Sequence, residues 1–422
     1  MGEKLALLGG QKAVTIESPD TFRWPIITEE DETAVLEQLR TGDMSGTEVT
    51  KVFEREFGEY YGMPYCLAHC NGTAALLGAM YACGVGVGDE IICPSVTYWA
   101  SALPCYSLGA SVVFADVDPD TLNIDPNDIE HRITDRTKAI VVVHYCAYPC
   151  EMDEIMAIAK KHRVKVIEDV SHAQGSLYHG TLTGTIAHVG AMSLMSQKSL
   201  VVGEGGILVT RDRYIWERAV AFGHYERHKE LTDPSLTPFK GYPFGGVKYR
   251  LNQLASALGR VQLRHYPQRI ETIQEAMNYF WDLLEGCPGI RAHRPPKDSG
   301  STMGGWYAAR GLYRADEIGR LDVGKFCEAV SAEGSHIGPG CNPPMHLHPL
   351  FNDYDIYGHG KPTRNAHSDR DLRQPPGSLP VSEATPMTTY SIPHFKHVHK
   401  DVIEQHAAAF RKVAENAGQL LE

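Results

Sequence analysis

Helical and strand-like patterns of apolar residues alternate between about residues 30 and 225. Apolar residues recur three or four positions apart over 29–40 and 48–61, which predicts helices. Segments 151–163 and 211–223 predict crossover helices. Short apolar runs predict strands at 90–93, 111–115, 139–144, 164–169, 191–196 and 206–210. Because these runs are almost continuously apolar, as in parallel strands buried on both faces, the pattern predicts an α/β fold with a helix-covered sheet.

A second, smaller domain is predicted in the C-terminal third of the chain. A helical pattern runs from Leu251 to about Leu284, and the stretch that follows is rich in Pro, Gly and charge. We therefore predict an N-terminal arm and large domain over 1–285 and a small domain over 286–422. Residues 350–379 have little apolar periodicity and predict an irregular insertion, a kind of segment that is often functional or mobile.

Composition and charge argue against several classes of protein, namely nucleic-acid-binding, membrane-spanning and secreted proteins. The 422 residues include 40 Lys and Arg and 52 Asp and Glu, so the formal net charge is −12, and 43% of residues are apolar. This acidic, globular composition argues against nucleic-acid and anionic-membrane partners. The longest charge-free stretch, 91–115, is interrupted by Pro94 and Pro104 and is not expected to span a membrane. The N-terminus lacks the apolar core of a signal peptide, so a cytoplasmic location is expected.

No metal site is expected. The ten cysteines are too dilute for a disulfide scaffold, and the pairs Cys66/Cys70 and Cys146/Cys150 lack the second pair that a zinc site needs. Histidines near the C-terminus have no accompanying carboxylate or cysteine set, which favours substrate-pocket or surface roles. They are His346, His348, His394, His397 and His399.

Asn71, Gly72 and Thr73 stand where a predicted helix begins. Free N–H groups and the helix dipole attract an anion at such a point, and Thr73 adds a hydroxyl, so a phosphate fits there. A helix cap without any ligand is the more common explanation for such residues. Both explanations remain open at the level of sequence.

Asp169 and His172 follow the predicted strand 164–169. Ligands bind at the carboxyl ends of strands in open α/β sheets, and a carboxylate there needs a cation or hydrogen-bond donors. Structural polar groups that are satisfied by hydrogen bonds are an equally good explanation for each residue taken alone.

Lys198 lies in a turn between two apolar strands, shortly before the glycines of GEGG. Lysine is seldom buried, and burial favours the neutral amine that forms Schiff bases. An anion-binding helix start, a strand-end carboxylate and a semi-buried lysine are together the parts that hold pyridoxal phosphate.

The order and wording of the motifs resemble the sugar aminotransferases of the DegT/StrS type, which are pyridoxal-phosphate enzymes with the aspartate aminotransferase fold, type I. The resemblance covers nearly the whole chain. It rests on FEREFGEYYG, NGTAAL, GVGVGDEIICPSVTYWASA, VFADVDPDTLNIDP, TKAIVVVH, IEDVSHAQGS and GEGGILVT in this order. It implies a large domain with a mostly parallel sheet that binds the cofactor and a small α+β domain.

The resemblance also implies roles for individual residues. Lys198 carries the Schiff base and then moves the proton, and Asp169 pairs with the pyridinium nitrogen. Tyr98 stacks on the ring, and His172 lies beside the ring hydroxyl. The implied phosphate contacts are Gly72, Thr73 and Ser193.

Lys248 departs from the family pattern. Relatives usually have an asparagine here, which reaches the phosphate from the partner subunit. Lysine either serves as a longer, charged ligand or points away. The neighbouring YRLNQLASALG matches the family and implies a homodimer with shared active sites.

Lys198 favours transamination, because some relatives have histidine at this position and dehydrate sugars. The motifs PPMHLHPLF and LPVSEATPMTTYSIPHF, with the insertion between them, resemble the branch that aminates keto-cyclitols or makes aminohydroxybenzoate. The main hypothesis is a transaminase that moves an amino group from glutamine or glutamate to a keto-cyclitol or keto-sugar. Two alternatives are an aromatising or dehydrating enzyme with the same cofactor and a cofactor-binding regulatory or structural protein without turnover.

Overall fold

A computed structural model describes residues 3–421 and contains one large sheet followed by a smaller one. The strands of the large sheet are β1 (Tyr65–His69), β2 (Glu90–Pro94), β3 (Ser111–Ala115), β4 (Thr137–Val143), β5 (Lys165–Asp169), β8 (Val189–Ser193) and β9 (Gly206–Thr210). The hairpin β6 (Leu177–Tyr178) and β7 (Thr181–Leu182) stands apart. The spatial order is β1-β9-β8-β5-β4-β2-β3, and the neighbours from β3 to β8 are parallel. The predicted α/β class is confirmed.

Helices cover both faces of the large sheet because successive strand residues point to opposite sides and both sides are apolar. In β9, Leu208 packs with one group of helices, and Ile207 and Val209 pack with another on the opposite face. The helices are α1 (Glu29–Arg40), α2 (Glu48–Tyr61), α3 (Gly72–Ala82), α4 (Pro126–Arg132), α5 (Met152–His162), α6 (Arg213–Gly223), α7 (Gln253–Leu283), α8 (Val323–Ala332), α9 (Pro349–Asn352), α10 (Pro380–Thr388) and α11 (Lys400–Glu415). None of these described helices has the length and apolar character that crossing a bilayer requires.

Two strands of the large sheet differ from the predicted pattern. Strand β1 was not predicted, and β9 runs antiparallel to both of its neighbours, β1 and β8. An apolar run predicts that a strand exists, but its direction depends on the connection. Because β8 and β9 are antiparallel, the connection 194–205 stays at the edge where the parallel strands end. This connection carries Lys198.

The smaller sheet is antiparallel and consists of β10 (Ile290–Ala292), β11 (Arg310–Tyr313) and β12 (Thr389–Ser391). It shares a core with α8, α11 and the end of α7, and this core includes Phe280, Phe326 and Phe410. Leu5 of the N-terminal arm is fully buried in the same core. The domain boundary near residue 285 stays a prediction.

Residues 350–379 contain little regular structure but are attached to the edge of the large sheet. The side-chain amide of Gln374 forms hydrogen bonds with both backbone groups of Phe114 in β3. Its Oε1 accepts from the Phe114 N–H at 3.0 Å, and its Nε2 donates to the Phe114 carbonyl at 2.8 Å. Arg370 forms an ion pair of 2.7 Å with the buried Glu90 at the start of β2. The segment therefore covers the edge strand, which otherwise exposes unpaired backbone groups.

Candidate active site

A cavity of about 420 Å³ lies at the edge of the large sheet where β5 ends. It brings together seven of the eight predicted site residues: Gly72, Thr73, Tyr98, Asp169, His172, Ser193 and Lys198. The eighth, Lys248, is not among the described lining residues. It is exposed, and its Nζ lies 5.8 Å from the ring centroid of Tyr225. Its contact across a dimer stays a prediction.

One end of the cavity is formed by the start of α3. A helix leaves its first N–H groups without partners inside the helix. The Asn71 side chain accepts from the N–H of Ala74 at 2.8 Å, so the cap considered from the sequence is present. A Cβ on Gly72 would lie only 2.6 Å from the Cβ of Ser193. Glycine thus allows β8 to approach the helix start, where the remaining N–H groups can receive an anion.

Asp169 is 3% exposed and is held by two donors at the end of β5. The Ser101 hydroxyl donates to Oδ2 at 2.7 Å, and the N–H of Ser171 donates to Oδ1 at 3.0 Å. The Ser101 hydroxyl is itself 3.0 Å from that of Thr97. No Lys, Arg or His of the described chain forms an ion pair with this carboxylate. It is therefore oriented by hydrogen bonds and ready to pair with a cationic ligand.

Lys198 is 6% exposed, and burial lowers the pKa of its amine to about 8, although the Asp169 charge acts in the opposite direction. Its Nζ lies 3.6 Å from the centroid of the Tyr307 ring. The backbone is fixed on both sides: the N–H donates to the Met195 carbonyl at 2.8 Å, and the carbonyl accepts from the Trp24 indole at 2.9 Å. The side chain thus presents a partly neutral amine, which is the nucleophilic form.

His172 is neutral in the cavity wall. Burial holds the pKa of its imidazole well below the usual value, and the charges of Lys198 and Arg310 lower this pKa further. Its Nδ1 accepts from the N–H of Cys146 at 3.3 Å, so the proton is on Nε2. The ring lies between those of Tyr145 and Tyr307, with centroid distances of 5.4 and 4.8 Å. Nε2 is therefore available as a donor.

Tyr98 and Ser193 differ in how firmly their surroundings hold them. Tyr98 is half-exposed, next to the exposed Trp99. The N–H of Ser193 donates to the Ser171 hydroxyl at 3.1 Å, and its own hydroxyl accepts from the N–H of Met195 at 3.3 Å. Tyr98 can therefore move over a bound ring, whereas Ser193 is fixed beside the helix start.

Several further lining residues were missed in the sequence, among them Ser101, Tyr307, Arg310 and Asn342. Ser101 lies within the family motif SVTYWASA, which directly follows β2, and this position could have identified it as a site residue. The other three belong to the C-terminal part of the chain, where the sequence offers no motif with a stated chemistry. Only the packing of the small sheet against the large one brings them to the cavity.

The family model for the DegT/DnrJ/EryC1/StrS aminotransferase family matches residues 25–411. The chain belongs to this family. The predicted resemblance is confirmed, and the protein is an aminotransferase.

Individual members of the aminotransferase family match the chain over most of its length. An L-glutamine:2-deoxy-scyllo-inosose aminotransferase of Streptomyces fradiae is 39% identical, with 100% of each chain covered. The structure of an aminotransferase from Psychrobacter cryohalolentis superposes with a TM-score of 0.79 at 29% identity, covering 93% of this chain and 98% of that one. The structure of DesI with its TDP-sugar product gives a TM-score of 0.79 at 26% identity, with 99% and 98% covered.

Proposed function

We propose that this aminotransferase binds pyridoxal 5′-phosphate in the cavity and moves an amino group from glutamine to a keto-cyclitol or keto-sugar. The residues fit the cofactor: an anion-binding helix start, a buried carboxylate without a cationic partner and a buried lysine line one cavity. The bound coenzyme supplies an aldehyde that holds the amino group and an electron-poor ring. The observation that carries the proposal is that Asp169 and Lys198 are both buried in this cavity.

Each protein group has a defined task in this proposal. The N–H groups at the start of α3, with Thr73, bind the phosphate, and the Asp169 carboxylate holds the ring nitrogen in its protonated form. His172, with its proton on Nε2, would donate to the ring hydroxyl. When its amine is free, Lys198 would act as the base that takes the proton from the substrate carbon and as the acid that gives the proton up again. An amine with a pKa of about 8 suits this transfer in both directions.

The identity of the substrates rests on the relatives. The Streptomyces fradiae relative, identical at 39% of positions over the full length, is named for glutamine and 2-deoxy-scyllo-inosose. A relative in Caulobacter vibrioides, 34% identical over 58% of this chain, is named a GDP-perosamine synthase. The full-length match favours a keto-cyclitol as acceptor and glutamine as donor.

Nitrogen transfer from labelled glutamine tests this function. The holoenzyme is incubated with L-glutamine labelled at the α-nitrogen and with 2-deoxy-scyllo-inosose, other keto-cyclitols and keto-sugars. We expect the label in an amino-cyclitol, and we expect none with Lys198→Ala. An unlabelled, aromatised or dehydrated product would favour the alternative reaction, and no product from any acceptor would contradict the proposal.

We further propose that two subunits form a homodimer in which Lys248 of one subunit contributes to the cavity of the other. Lys248 is exposed, and aromatic side chains are exposed at the cavity mouth, which suits burial against a second copy. Mixing inactive Lys198→Ala and Lys248→Ala chains provides the test. A hybrid dimer has one intact site only if Lys248 acts across the interface. Recovered activity supports this arrangement, and continued inactivity of a verified hybrid contradicts it.

A further inference from the structure

Asn342 lines the cavity with a side-chain amide whose two ends have different surroundings. Its Oδ1 accepts a hydrogen bond from the Tyr145 hydroxyl at 2.6 Å, and its backbone N–H donates to the same hydroxyl at 3.0 Å. Its Nδ2 has no hydrogen-bond partner between residues 3 and 421 and is not enclosed by protein atoms. The amide nitrogen is therefore the end of the side chain that a ligand can reach.

The Tyr145 hydroxyl determines which end of the amide faces a ligand. Tyr145 is 1% exposed, and burial holds the pKa of its hydroxyl well above the usual value, so the hydroxyl keeps its proton. A buried hydroxyl proton needs an acceptor, and Oδ1 of Asn342 is that acceptor. The 2.6 Å separation is typical of an O–H···O bond and short for an N–H···O bond. Oδ1 is thus engaged, and the two N–H groups of Nδ2 point away from Tyr145.

The backbone around Asn342 is attached to both sheets. Two residues before it, the N–H of Gly340 donates to the carbonyl of Thr389 in β12 at 2.7 Å. Two prolines follow Asn342 directly and restrict the backbone. The N–H of Met345 then donates at 2.9 Å to the carbonyl of Ser95, the residue after β2. The amide therefore keeps its direction before a ligand arrives, as a preorganised donor should.

Asn342 stands at the mouth of the cavity. Together with Thr97 and Tyr98 it lines both the cavity and an apolar groove that adjoins it. Gly72 and Thr73, at the phosphate-binding helix start, line the cavity but not this groove. The free amide nitrogen is therefore placed where a substrate enters, away from the end assigned to the phosphate.

We propose that Asn342 determines specificity for the ketone acceptor by donating from Nδ2 to its ring hydroxyl oxygens. This inference rests on the proposed function, in which a polyhydroxylated ketone enters the cavity. One amide nitrogen carries two N–H donors, and hydroxyls on adjacent ring carbons offer two neighbouring acceptors. Both partners are uncharged, so neither leaves a charge unpaired in the cavity. A site built to bond a hydroxyl also rejects an analogue that lacks it.

Binding of unreactive ligands to the holoenzyme tests this role without turnover. The probe is scyllo-inositol, which has a hydroxyl on every ring carbon and no carbonyl group. Glutaramate, which is glutamine without its amino group, represents the amino donor. In Asn342→Leu we expect calorimetry to show a dissociation constant for scyllo-inositol that is about tenfold higher, or about 1.4 kcal/mol, and an unchanged one for glutaramate.

Two further variants separate the donor from the group that orients it. Tyr145→Phe removes the hydroxyl that holds Oδ1 but leaves Nδ2 in place, so we expect a smaller loss of scyllo-inositol binding than in Asn342→Leu. Asn127→Leu is the matched control, because Asn127 is an exposed asparagine on α4. This control should bind both ligands as the wild type does.

Unchanged scyllo-inositol binding in Asn342→Leu, or an equal loss of binding for both ligands, would overturn the assignment. A loss confined to glutaramate would overturn it too, because Asn342 would then serve the donor. If Asn342→Leu does not fold, Asn342→Ser and Tyr145→Phe decide the question by the same comparison. Failure of nitrogen transfer to every ketone, with scyllo-inositol binding that depends on Asn342, would contradict the proposed function and leave the Asn342 assignment standing.

Discussion

At the scale of single residues, the site depends on two buried groups that titrate or carry charge. Lys198 has an amine with a lowered pKa because burial disfavours its charged form. Asp169 keeps a carboxylate buried because Ser101 and the backbone of Ser171 donate to it. The roles proposed for both residues depend on these environments, since a surface lysine is mostly protonated and an unsupported buried acid favours its neutral form.

The Lys198 pKa predicts how the apoenzyme captures pyridoxal phosphate as a function of pH. Burial lowers the pKa to about 8, so the reactive neutral amine increases as pH rises through that value. The capture rate, measured by stopped-flow absorbance, should rise with an apparent midpoint near 8 and then level off. A midpoint near the ordinary lysine pKa of about 10.4 would contradict the burial argument.

Replacing Ser101 tests whether the orientation of Asp169 matters. Ser101→Ala removes the 2.7 Å hydrogen bond to Oδ2, and a bond to a charged group contributes about 1.5–3 kcal/mol. We expect kcat to fall by about tenfold to a hundredfold in the amino-transfer assay. Ser107→Ala, at an exposed position nearby, is the control. Wild-type kcat in Ser101→Ala would show that Asp169 needs no such support.

At the scale of secondary-structure elements, two parts of the large sheet matter: the carboxyl ends of its parallel strands, where the site lies, and its edge strand β3, which residues 350–379 cover. The antiparallel β8–β9 connection keeps Lys198 at the edge where β5 presents Asp169. At the opposite side of the sheet, β3 is an edge strand, and residues 350–379 cover it through Gln374. The insertion therefore has a structural task, whatever else it does.

Removing the Gln374 side chain should loosen this cover. Gln374→Ala leaves the N–H and carbonyl of Phe114 without their partner, at a cost of about 1–3 kcal/mol for each unsatisfied group. We expect the free energy of unfolding in urea to fall by about 2–6 kcal/mol and trypsin to cut faster within 350–379. Arg373→Ala alters an exposed pair in the same segment and should change neither. Unchanged stability in Gln374→Ala would show that β3 needs no cover.

At the scale of the whole molecule, the N-terminal arm connects the core of the small sheet with the site. Leu5 is buried in the core of the small sheet, and Trp24 donates to the carbonyl of Lys198. The Nζ of Lys396, buried near the same core, lies 4.5 Å from the centroid of the Trp24 ring. The arm thus holds the backbone of Lys198 from outside the large sheet.

Trp24→Phe tests this connection. The variant keeps an aromatic ring but removes the indole donor, and one neutral hydrogen bond contributes about 0.5–1.5 kcal/mol. We expect a loss in kcat of up to about tenfold, with little change in the far-ultraviolet circular dichroism. The exposed Tyr242→Phe serves as control. An unaltered kcat would mean that the rest of the 194–205 connection positions Lys198.

Sequence patterns predicted much of the large sheet, because buried parallel strands and their crossover helices leave strong local signals. The patterns also identified Asn71 to Thr73, Asp169 and Lys198 as candidate site residues, because each stands at the start of a predicted helix or at the end of a predicted strand. The patterns missed β1, a short strand with weak periodicity. Arg310 and Asn342 were missed because their part in the cavity depends on the packing of the C-terminal residues, which no local pattern encodes.

Borohydride reduction of the holoenzyme, followed by peptide mass spectrometry, tests the central claim most directly. Lys396 serves as an internal comparison, because it is also buried and burial lowers the pKa of its amine to about 7. The account predicts a reduced pyridoxyl group on Lys198 and none on Lys396, because of these two described lysines Lys198 alone shares a cavity with Asp169 and the start of α3. A pyridoxyl group on Lys396 alone, or on neither lysine, would contradict it.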